Sequence, residues 1–188
     1  MTPGPRERLI DTAIRLVQRR GVHGTGLSEL LEQSSTARQS IYQHFPGGKD
    51  ELIAVATQIA GARGAAAILA ARDDTDPREL VAAALRGWEK ALTDSDFQLG
   101  CPVAAATVDG GTDALRAATR DAFDGWTAAY TEVFERAGIT PSAARSLGGF
   151  VVTAIEGAVL HARAIGSVAP LHDCRTQLDR LIEAQRTG

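Results

Sequence analysis

Cysteine is scarce in this sequence, which has only Cys101 and Cys174. Two cysteines cannot build the disulfide framework of a small secreted domain, and these two lack the Cys-x-x-Cys spacing of common zinc sites. The sequence also lacks the GxGxxG, Walker and HExxH motifs that mark dinucleotide, nucleotide and zinc sites. We therefore expect no disulfide, no bound metal and no cofactor.

Long uncharged runs are also missing. Residues 97–108 and 146–155 are among the longest and end at Asp109 and Glu156, whereas a membrane-spanning helix needs roughly 18 apolar residues or more. The residues before Asp11 contain no apolar stretch of the kind found in a secretory signal. We therefore expect a cytoplasmic protein with no membrane partner.

Neither sign of charge dominates the whole chain, which holds 20 Lys plus Arg and 23 Asp plus Glu for a net charge of -3. This total excludes a protein that coats nucleic acid by bulk charge. The distribution is uneven, however. Residues 1–49 carry seven basic and four acidic side chains, a net charge of +3, which leaves -6 for residues 50–188. A basic end followed by an acidic remainder is typical of a chain whose one end meets phosphates.

Aromatic residues make up only 5% of the chain, whereas alanine is abundant. This composition favours helices over strands, and apolar residues recur at the three- and four-residue spacing of amphipathic helices. We therefore predict an all-α protein, with Pro5 opening the first helix, Gly21 following its end and Asp76 capping the fifth. The predicted helices cover residues 5–20, 27–33, 37–45, 50–72, 77–92, 103–108, 113–137, 142–165 and 171–186.

Residues 25–45 contain two short helical segments joined by a tight turn. Each segment has apolar residues on one face and polar residues on the other, and helices this short persist only when neighbouring helices hold them. The pattern is that of a helix-turn-helix, although two short helices at an angle can also be purely structural. The residues predicted to face inward are Leu27, Leu30, Leu31, Ile41 and Phe45.

The second segment keeps a polar face of Arg38, Gln39, Ser40, Tyr42 and His44. Arginine can donate two hydrogen bonds to guanine O6 and N7, and glutamine can pair with adenine N6 and N7. Serine, tyrosine and histidine can reach phosphate oxygens. This face therefore predicts both base and phosphate contacts in duplex DNA.

The first 52 residues resemble the N-terminal domain of the TetR family of bacterial transcriptional regulators. The Tyr-x-His-Phe ending and the Lys-Asp/Glu-x-Leu sequence after it stand at the family's spacing. The residues that carry the resemblance are Arg8, Gly21, Thr25, Ile41-Tyr42-Gln43-His44-Phe45 and Lys49-Asp50-Glu51-Leu52. The resemblance implies that Thr25, Tyr42, His44 and Lys49 hold phosphates, and that Arg38, Gln39 and Ser40 lie nearest the bases.

The turn departs from the family pattern. Ser35-Thr36-Ala37 stands where the family usually carries Gly-Val-Ser, so neither the turn glycine nor the capping serine is in register. Ser35 or Thr36 could cap the recognition helix from one or two residues earlier. The start of that helix therefore stays open, and with it the choice of Arg38 or Gln39 as the residue that reaches a base.

The larger half resembles the LmrA-like branch of the family through Gly100-Cys101-Pro102-Val103, residues 155–164 and Pro170-Leu171. This resemblance implies a division into a DNA-binding domain, residues 1–49, and a helical domain, residues 50–188, that dimerises and encloses an effector. Apolar faces of the last two helices would form the dimer interface, or would only complete the monomer core. The residues predicted to dimerise are Leu147, Phe150, Val151, Ala154, Ala158, Leu178, Leu181 and Ile182.

An aromatic stripe at helical spacing runs from Phe123 to Phe134 and marks either core or a ligand pocket. Polar groups on nearby apolar helices favour a pocket, because unpaired polar groups are costly in a solid core. For Glu156, an ion pair with Arg163 is as good an explanation as a ligand contact. The predicted ligand contacts are Trp88, Phe97, Cys101, Phe123, Trp126, Tyr130, Thr153, Glu156 and His161.

These observations predict a homodimeric repressor that leaves a near-palindromic operator when a small, mostly apolar effector binds. The helix that begins near Asp50 would link the two halves. The alternative is an all-helical small-molecule-binding protein or enzyme without specific DNA binding, in which Cys101 with His161 or His172 would serve as nucleophile and base. An architectural DNA binder would need a basic surface throughout, which residues 50–188 lack.

Overall fold

The computed structural model describes residues 3–70 and 75–186, and all regular secondary structure within these ranges is α-helical. The predicted all-α class is therefore confirmed. The helices are α1 (Pro5–Arg20), α2 (Leu27–Ser34), α3 (Arg38–His44), α4 (Gly48–Leu69), α5 (Pro77–Asp94), α6 (Pro102–Asp109), α7 (Asp113–Arg136), α8 (Pro141–Ile165) and α9 (Ala169–Arg186).

Proline and capping residues set several helix starts. Proline is favoured at the first helical position because its missing N–H has no partner there in any case. The Asp76 carboxylate accepts a hydrogen bond from the N–H of Arg78 at 2.9 Å, which confirms the predicted cap of α5. The prolines that open helices are Pro5, Pro77, Pro102 and Pro141.

Helix α4 starts two residues earlier than predicted. Gly48 adopts a positive φ of 69°, and the Glu51 carboxylate accepts a hydrogen bond from the N–H of Gly47 at 2.7 Å. Together these features let the helix begin at the last glycine of the Pro-Gly-Gly sequence. The predicted end at Arg72 and the loop residues Asp73 and Asp74 lie outside the described residues.

The helices form two compact units. Unit 1 comprises the described residues up to Ala62 together with Cys101–Ala122, and unit 2 comprises the described residues of 63–100 and those from Phe123 onward. Both α4 and α7 pass from one unit into the other. Unit 1 is larger than the predicted domain of residues 1–49 because the first part of α4, all of α6 and the start of α7 belong to it.

The core of unit 1 is built mainly by α1 and the helices around it. Leu9, Leu16, Leu30 and Leu52 are fully or almost fully buried there. Burial of one such side chain contributes about 1.5–3 kcal/mol. Ile41 and Phe45 are buried in the same core, as predicted, and so fix the position of the seven-residue helix α3.

The core of unit 2 lies among α5, α8, α9 and the later part of α7. It contains Val81, Phe134, Val151 and Leu178, each buried almost completely. Helices α7 and α8 approach closely at Gly148, where an added Cβ would lie 2.9 Å from the Thr127 carbonyl oxygen. A larger residue at Gly148 would therefore force these helices apart.

The core of unit 2 takes most of the residues predicted to dimerise. Their side chains are used within the chain and cannot present a surface to a second copy, so that part of the prediction is corrected. Phe150 and Leu181 remain exposed, and Ala154 is half-buried. The buried residues are Leu147, Val151, Ala158, Leu178 and Ile182.

Helices α4 and α8 are long and apolar enough to span a membrane by length and composition alone, with mean hydropathies of 1.6 and 1.3. Each contributes a buried face to a core, Leu52 and Ile53 from α4 and Val151 and Ile155 from α8. Core helices of soluble proteins commonly have this composition.

Candidate nucleic-acid interface

The turn between α2 and α3 is made by Ser35, which adopts the left-handed conformation with φ 50° and ψ 47°. Its N–H donates to the Glu32 carbonyl at 3.1 Å, and the N–H of Thr36 donates to the Leu31 carbonyl at 3.1 Å. These bonds end α2 in the way that a glycine usually does. Ser35 therefore performs the conformational role of the glycine that the TetR pattern places in this turn.

Arg8 holds the same turn from α1. Its guanidinium donates from Nε to the Ser34 carbonyl at 2.9 Å and from Nη2 to the Ser35 carbonyl at 3.4 Å. The last carbonyls of a helix have no partner within the helix, and a cation near them is favourable. Arg8 thus stabilises the turn, a role that its sequence position alone did not indicate.

Helix α3 begins at Arg38, with Ala37 as its N-cap and no side-chain cap. The Thr36 hydroxyl lies 2.6 Å from the Ser34 hydroxyl, and Ser35 terminates α2. Neither Ser35 nor Thr36 therefore caps the recognition helix, so the possibility left open by the sequence is excluded. Arg38 and Gln39 occupy the first two helical positions, and both are exposed.

The polar face of α3 is accessible to solvent. Arg38, Gln39, Tyr42 and His44 are exposed and Ser40 is half-buried. The Tyr42 ring lies beside the start of α4, because a Cβ added at Gly48 would come 3.4 Å from its Cε1 atom. The predicted base-reading and phosphate-binding side chains of α3 are therefore accessible to a partner outside the unit.

Lys49 is positioned by the loop between α1 and α2. Its Nζ donates to the Val22 carbonyl oxygen at 3.1 Å, and the side chain is half-buried. An ammonium group has three donors, so this bond leaves two for another acceptor. Lys49 is thus held in place while it keeps the capacity to bind a phosphate oxygen.

Thr25 does not fit its predicted role. The residue is 0% exposed, and its hydroxyl donates to the Gly21 carbonyl at 2.7 Å. A buried hydroxyl that is bonded to the backbone cannot reach a phosphate without rearrangement. Thr25 instead stabilises the loop after α1, which corrects the expectation drawn from the family pattern.

Asp109 binds the loop that also contacts Lys49, although no sequence signal pointed to it. Its Oδ2 atom accepts hydrogen bonds from the backbone N–H groups of Val22 and His23, at 2.5 and 3.3 Å. The two sides of this contact lie 86 and 87 positions apart in the sequence. A separation of this size leaves no local pattern, so only the packing of α6 against α1 reveals the contact.

The aromatic candidates for ligand binding all pack against or within the core of unit 2. Trp88, Phe97, Phe123 and Trp126 are partly buried against its core. The rings of Phe123 and Trp126 meet edge to face, with centroids 5.3 Å apart. Tyr130 is almost fully buried, and desolvation raises the pKa of its hydroxyl to about 12.

The polar candidates differ in their burial. Cys101 is buried in unit 1, where its Sγ accepts a hydrogen bond from the N–H of Ala104 at 3.4 Å. Thr153 and His161 are exposed on α8, and the Thr153 hydroxyl donates to the Gly149 carbonyl at 3.0 Å. Neither the burial of Cys101 nor the exposure of Thr153 and His161 supports their predicted ligand contacts, which stay predictions. Glu156 is half-buried on α8.

Family models match both parts of the chain. A model described as bacterial regulatory proteins of the tetR family matches residues 9–67, and one described as the C-terminal domain of LmrA/YxaF-like transcriptional regulators matches residues 77–177. The chain belongs to the TetR family. Both resemblances noted in the sequence are confirmed, including the LmrA-like branch of the larger half.

Known proteins agree with this assignment along almost the whole chain. An uncharacterised HTH-type transcriptional regulator of Mycobacterium tuberculosis is 34% identical over 97% of this chain and 96% of its own length. The HTH-type transcriptional regulator LmrA of Bacillus subtilis is 30% identical over 88% of this chain and 90% of its own. This TetR-family protein is therefore a transcriptional regulator with a DNA-binding domain.

Solved structures show the same fold. The regulatory protein TetR from Rhodobacter sphaeroides superposes with a TM-score of 0.82 at 20% identity, covering 94% of this chain and 98% of that one. A TetR transcriptional regulator from Legionella pneumophila superposes with a TM-score of 0.83 at 19% identity, covering 95% and 97%. TetR-family proteins are regulators and not enzymes, so the catalytic alternative built on Cys101 is rejected.

Proposed function

We propose that this TetR-family regulator is a cytoplasmic homodimeric repressor that leaves a near-palindromic operator when a small, mostly apolar effector binds. The observation that carries the proposal is the polar face of α3. It is exposed to solvent, while Ile41 and Phe45 on the opposite side are buried in unit 1. A short helix held in this way presents side chains rigidly enough to read base edges in a major groove.

The DNA contacts divide into two kinds. Arg38 and Gln39 start the recognition helix and would contact base edges, with Ser40 beside them. Tyr42, His44 and Lys49 would bind phosphates, which position the protein but carry no sequence information. The half-buried Lys49, already bonded to the Val22 carbonyl, supports a fixed phosphate contact rather than a mobile one.

Dimerisation is supported by apolar side chains that α8 and α9 leave exposed. Phe150 is 50% exposed, Leu160 67% and Leu181 40%, although each lies on a helix whose other side is buried in the core. A second copy that covers these side chains would remove them from water. Two recognition helices can also enter successive major grooves, about 34 Å apart, only if the protein is dimeric.

The effector would bind among the partly buried aromatic side chains of unit 2, which are Trp88, Phe97, Phe123 and Trp126. Their chemistry favours an apolar or aromatic molecule. An effector changes DNA affinity only if it binds one conformational state more tightly than the other. We propose that the effector-bound state separates the two recognition helices by a distance that no longer matches the operator.

A gel shift tests the DNA-binding part of the proposal. The probe is the DNA upstream of the protein's own gene, compared with random duplex of equal length at two salt concentrations. A specific repressor binds the upstream DNA about a thousandfold more tightly or better. Equal, salt-sensitive binding to both duplexes would indicate an architectural protein, and no binding would favour the small-molecule-binding alternative.

A further inference from the structure

The loop between α1 and α2 is held from two sides by charged side chains. Asp109, at the end of α6, accepts the N–H groups of Val22 and His23. Lys49, in the first turn of α4, donates to the Val22 carbonyl oxygen at 3.1 Å. All of these residues belong to unit 1. Helices α4 and α6, which hold the loop, are separated from each other and from the loop by other helices in the chain.

The peptide group between Val22 and His23 connects the two charges. Its carbonyl is the Val22 oxygen that accepts from Lys49, and its N–H is the His23 group that donates to Asp109. Charged partners at both ends of one peptide group polarise it, and each bond strengthens the other. The same carbonyl also accepts the N–H of Thr25 at 3.2 Å, which fixes the loop further.

The position of Asp109 in its helix is unfavourable for a carboxylate. It is the last residue of α6, where the negative end of the helix dipole disfavours a carboxylate. The two backbone N–H donors from the loop compensate this placement. Gly21 adopts a positive φ of 73°, and an added Cβ there would collide with the Asp109 carboxylate. The loop and the carboxylate thus fit each other closely.

We propose that Asp109 is a positioning residue for DNA binding, which acts through the Val22–His23 peptide to hold Lys49 ready for a phosphate. The inference rests on the proposed DNA contact of Lys49. Lysine has a flexible stem and loses rotamer freedom when it binds. The bond to the Val22 carbonyl removes part of that freedom in advance, and Asp109 keeps the carbonyl in place.

Electrostatic repulsion alone predicts that removal of the Asp109 charge strengthens DNA binding. A carboxylate on the DNA-binding unit repels phosphates, so its neutralisation should tighten binding to any duplex. If Asp109 positions Lys49, its neutralisation instead weakens binding. The sign of the change therefore distinguishes the two effects.

The experiment compares wild type, Asp109→Asn, Lys49→Met and the double variant on a duplex that the wild type has selected from a random-sequence pool. Affinity is measured by fluorescence anisotropy between about 50 and 200 mM salt. We expect Asp109→Asn to weaken binding about tenfold, the effect of one charge-assisted hydrogen bond. We also expect it to lower the slope of log K against log salt by up to about 0.9, the value of one phosphate contact.

A double-mutant cycle tests whether the effect passes through Lys49. Asp109→Asn should cause little further loss once Lys49→Met is present, because the group that it positions is gone. The control is Asp113→Asn, which neutralises a fully exposed carboxylate of the same unit that pairs with Arg116. It should leave affinity unchanged or slightly improved. Additive losses in the cycle, or tighter binding by Asp109→Asn, would overturn the inference.

Amide NMR provides a readout without DNA. In Asp109→Asn the Val22 and His23 amide protons should lose protection from hydrogen exchange and change in chemical shift, whereas in Asp113→Asn they should not. If both amides were unchanged in Asp109→Asn, the proposed hold of Asp109 on the loop would be contradicted. If Asp109→Asn does not fold at the assay temperature, Asp109→Glu is tested in its place. This variant retains the carboxylate and should retain most of the DNA affinity. A tenfold loss of affinity in folded Asp109→Glu would also overturn the inference. A wild-type protein that enriches no duplex would overturn the proposed function instead.

Discussion

Single residues of the DNA-binding unit adopt conformations that their side chains do not favour. Ser35 takes a left-handed conformation, with φ 50°, that costs an L-amino acid about 1–2 kcal/mol. Arg8 compensates by donating to the carbonyls of Ser34 and Ser35. The turn of this helix-turn-helix is therefore held by a long-range contact from α1 rather than by the intrinsic preference of a glycine.

Replacement of Ser35 by glycine should stabilise the protein. The relief of the left-handed strain exceeds the extra unfolded-state entropy of glycine, and we expect the free energy of unfolding to rise by about 0.5 kcal/mol. Equilibrium urea unfolding measures this change. The control Ser28→Gly, at an exposed position of helix α2, should lower stability by a similar amount. A loss of stability in Ser35→Gly would contradict the interpretation of the turn.

Asp76 makes stability depend on pH. Its side-chain hydrogen bond with Arg78 lowers the pKa of the carboxyl from 3.8 to about 2. A depressed acid contributes stability above its unfolded pKa and loses that contribution as pH falls through the folded pKa. Thermal melts of wild type should therefore show a loss between about pH 4 and 2 that Asp76→Ala lacks. An equal loss in both proteins would refute the assignment.

At the scale of helices, α3 depends on its neighbours for its existence. Seven residues are too few to form a stable helix alone, and burial of Ile41 and Phe45 supplies the missing free energy. The outer face is then free to vary in chemistry without changing the fold. The residues proposed to read bases and those proposed to bind phosphates can therefore be replaced separately.

Substitutions on α3 and at Lys49 should separate specificity from affinity. Tyr42→Ala and Lys49→Ala should weaken binding to all duplexes, and Lys49→Ala should reduce the salt slope by about 1. Arg38→Ala and Gln39→Ala should lose about 1–3 kcal/mol on the selected duplex and much less on random DNA. Parallel anisotropy titrations on both duplexes measure this difference. Identical behaviour of the four variants would show that the roles are wrongly assigned.

The helix boundaries could be predicted closely, whereas the buried face of α8 could not. Proline at first helical positions fixed the starts of four helices through local geometry. Helix α8 has apolar residues around most of its circumference, so periodicity could not separate Val151 in the core from Phe150 on the surface. Only the packing of α8 against α9 and α5 distinguished these neighbours.

At the scale of the whole molecule, a dimer should form through exposed residues of α8 and α9. Leu160→Glu places a charge in the proposed interface and should shift sedimentation equilibrium toward monomer, with a parallel loss of operator affinity. Leu69→Glu is the control, because Leu69 is 42% exposed on α4, in unit 2 but outside α8 and α9. A monomeric wild type, or a Leu160→Glu protein that remains dimeric, would rule out this interface.

The sequence by itself determined the all-α class, the helix-turn-helix, the family and the separation of a basic N-terminal part from an acidic remainder. These properties follow from local signals: residue spacing, helix-ending residues and charge counted along the chain. Tertiary structure decided that Thr25 is buried, that the turn is held by Arg8 and that Asp109 binds the loop carrying Val22. Such contacts join residues far apart in sequence, and only the packing of the helices brings their atoms within hydrogen-bonding distance.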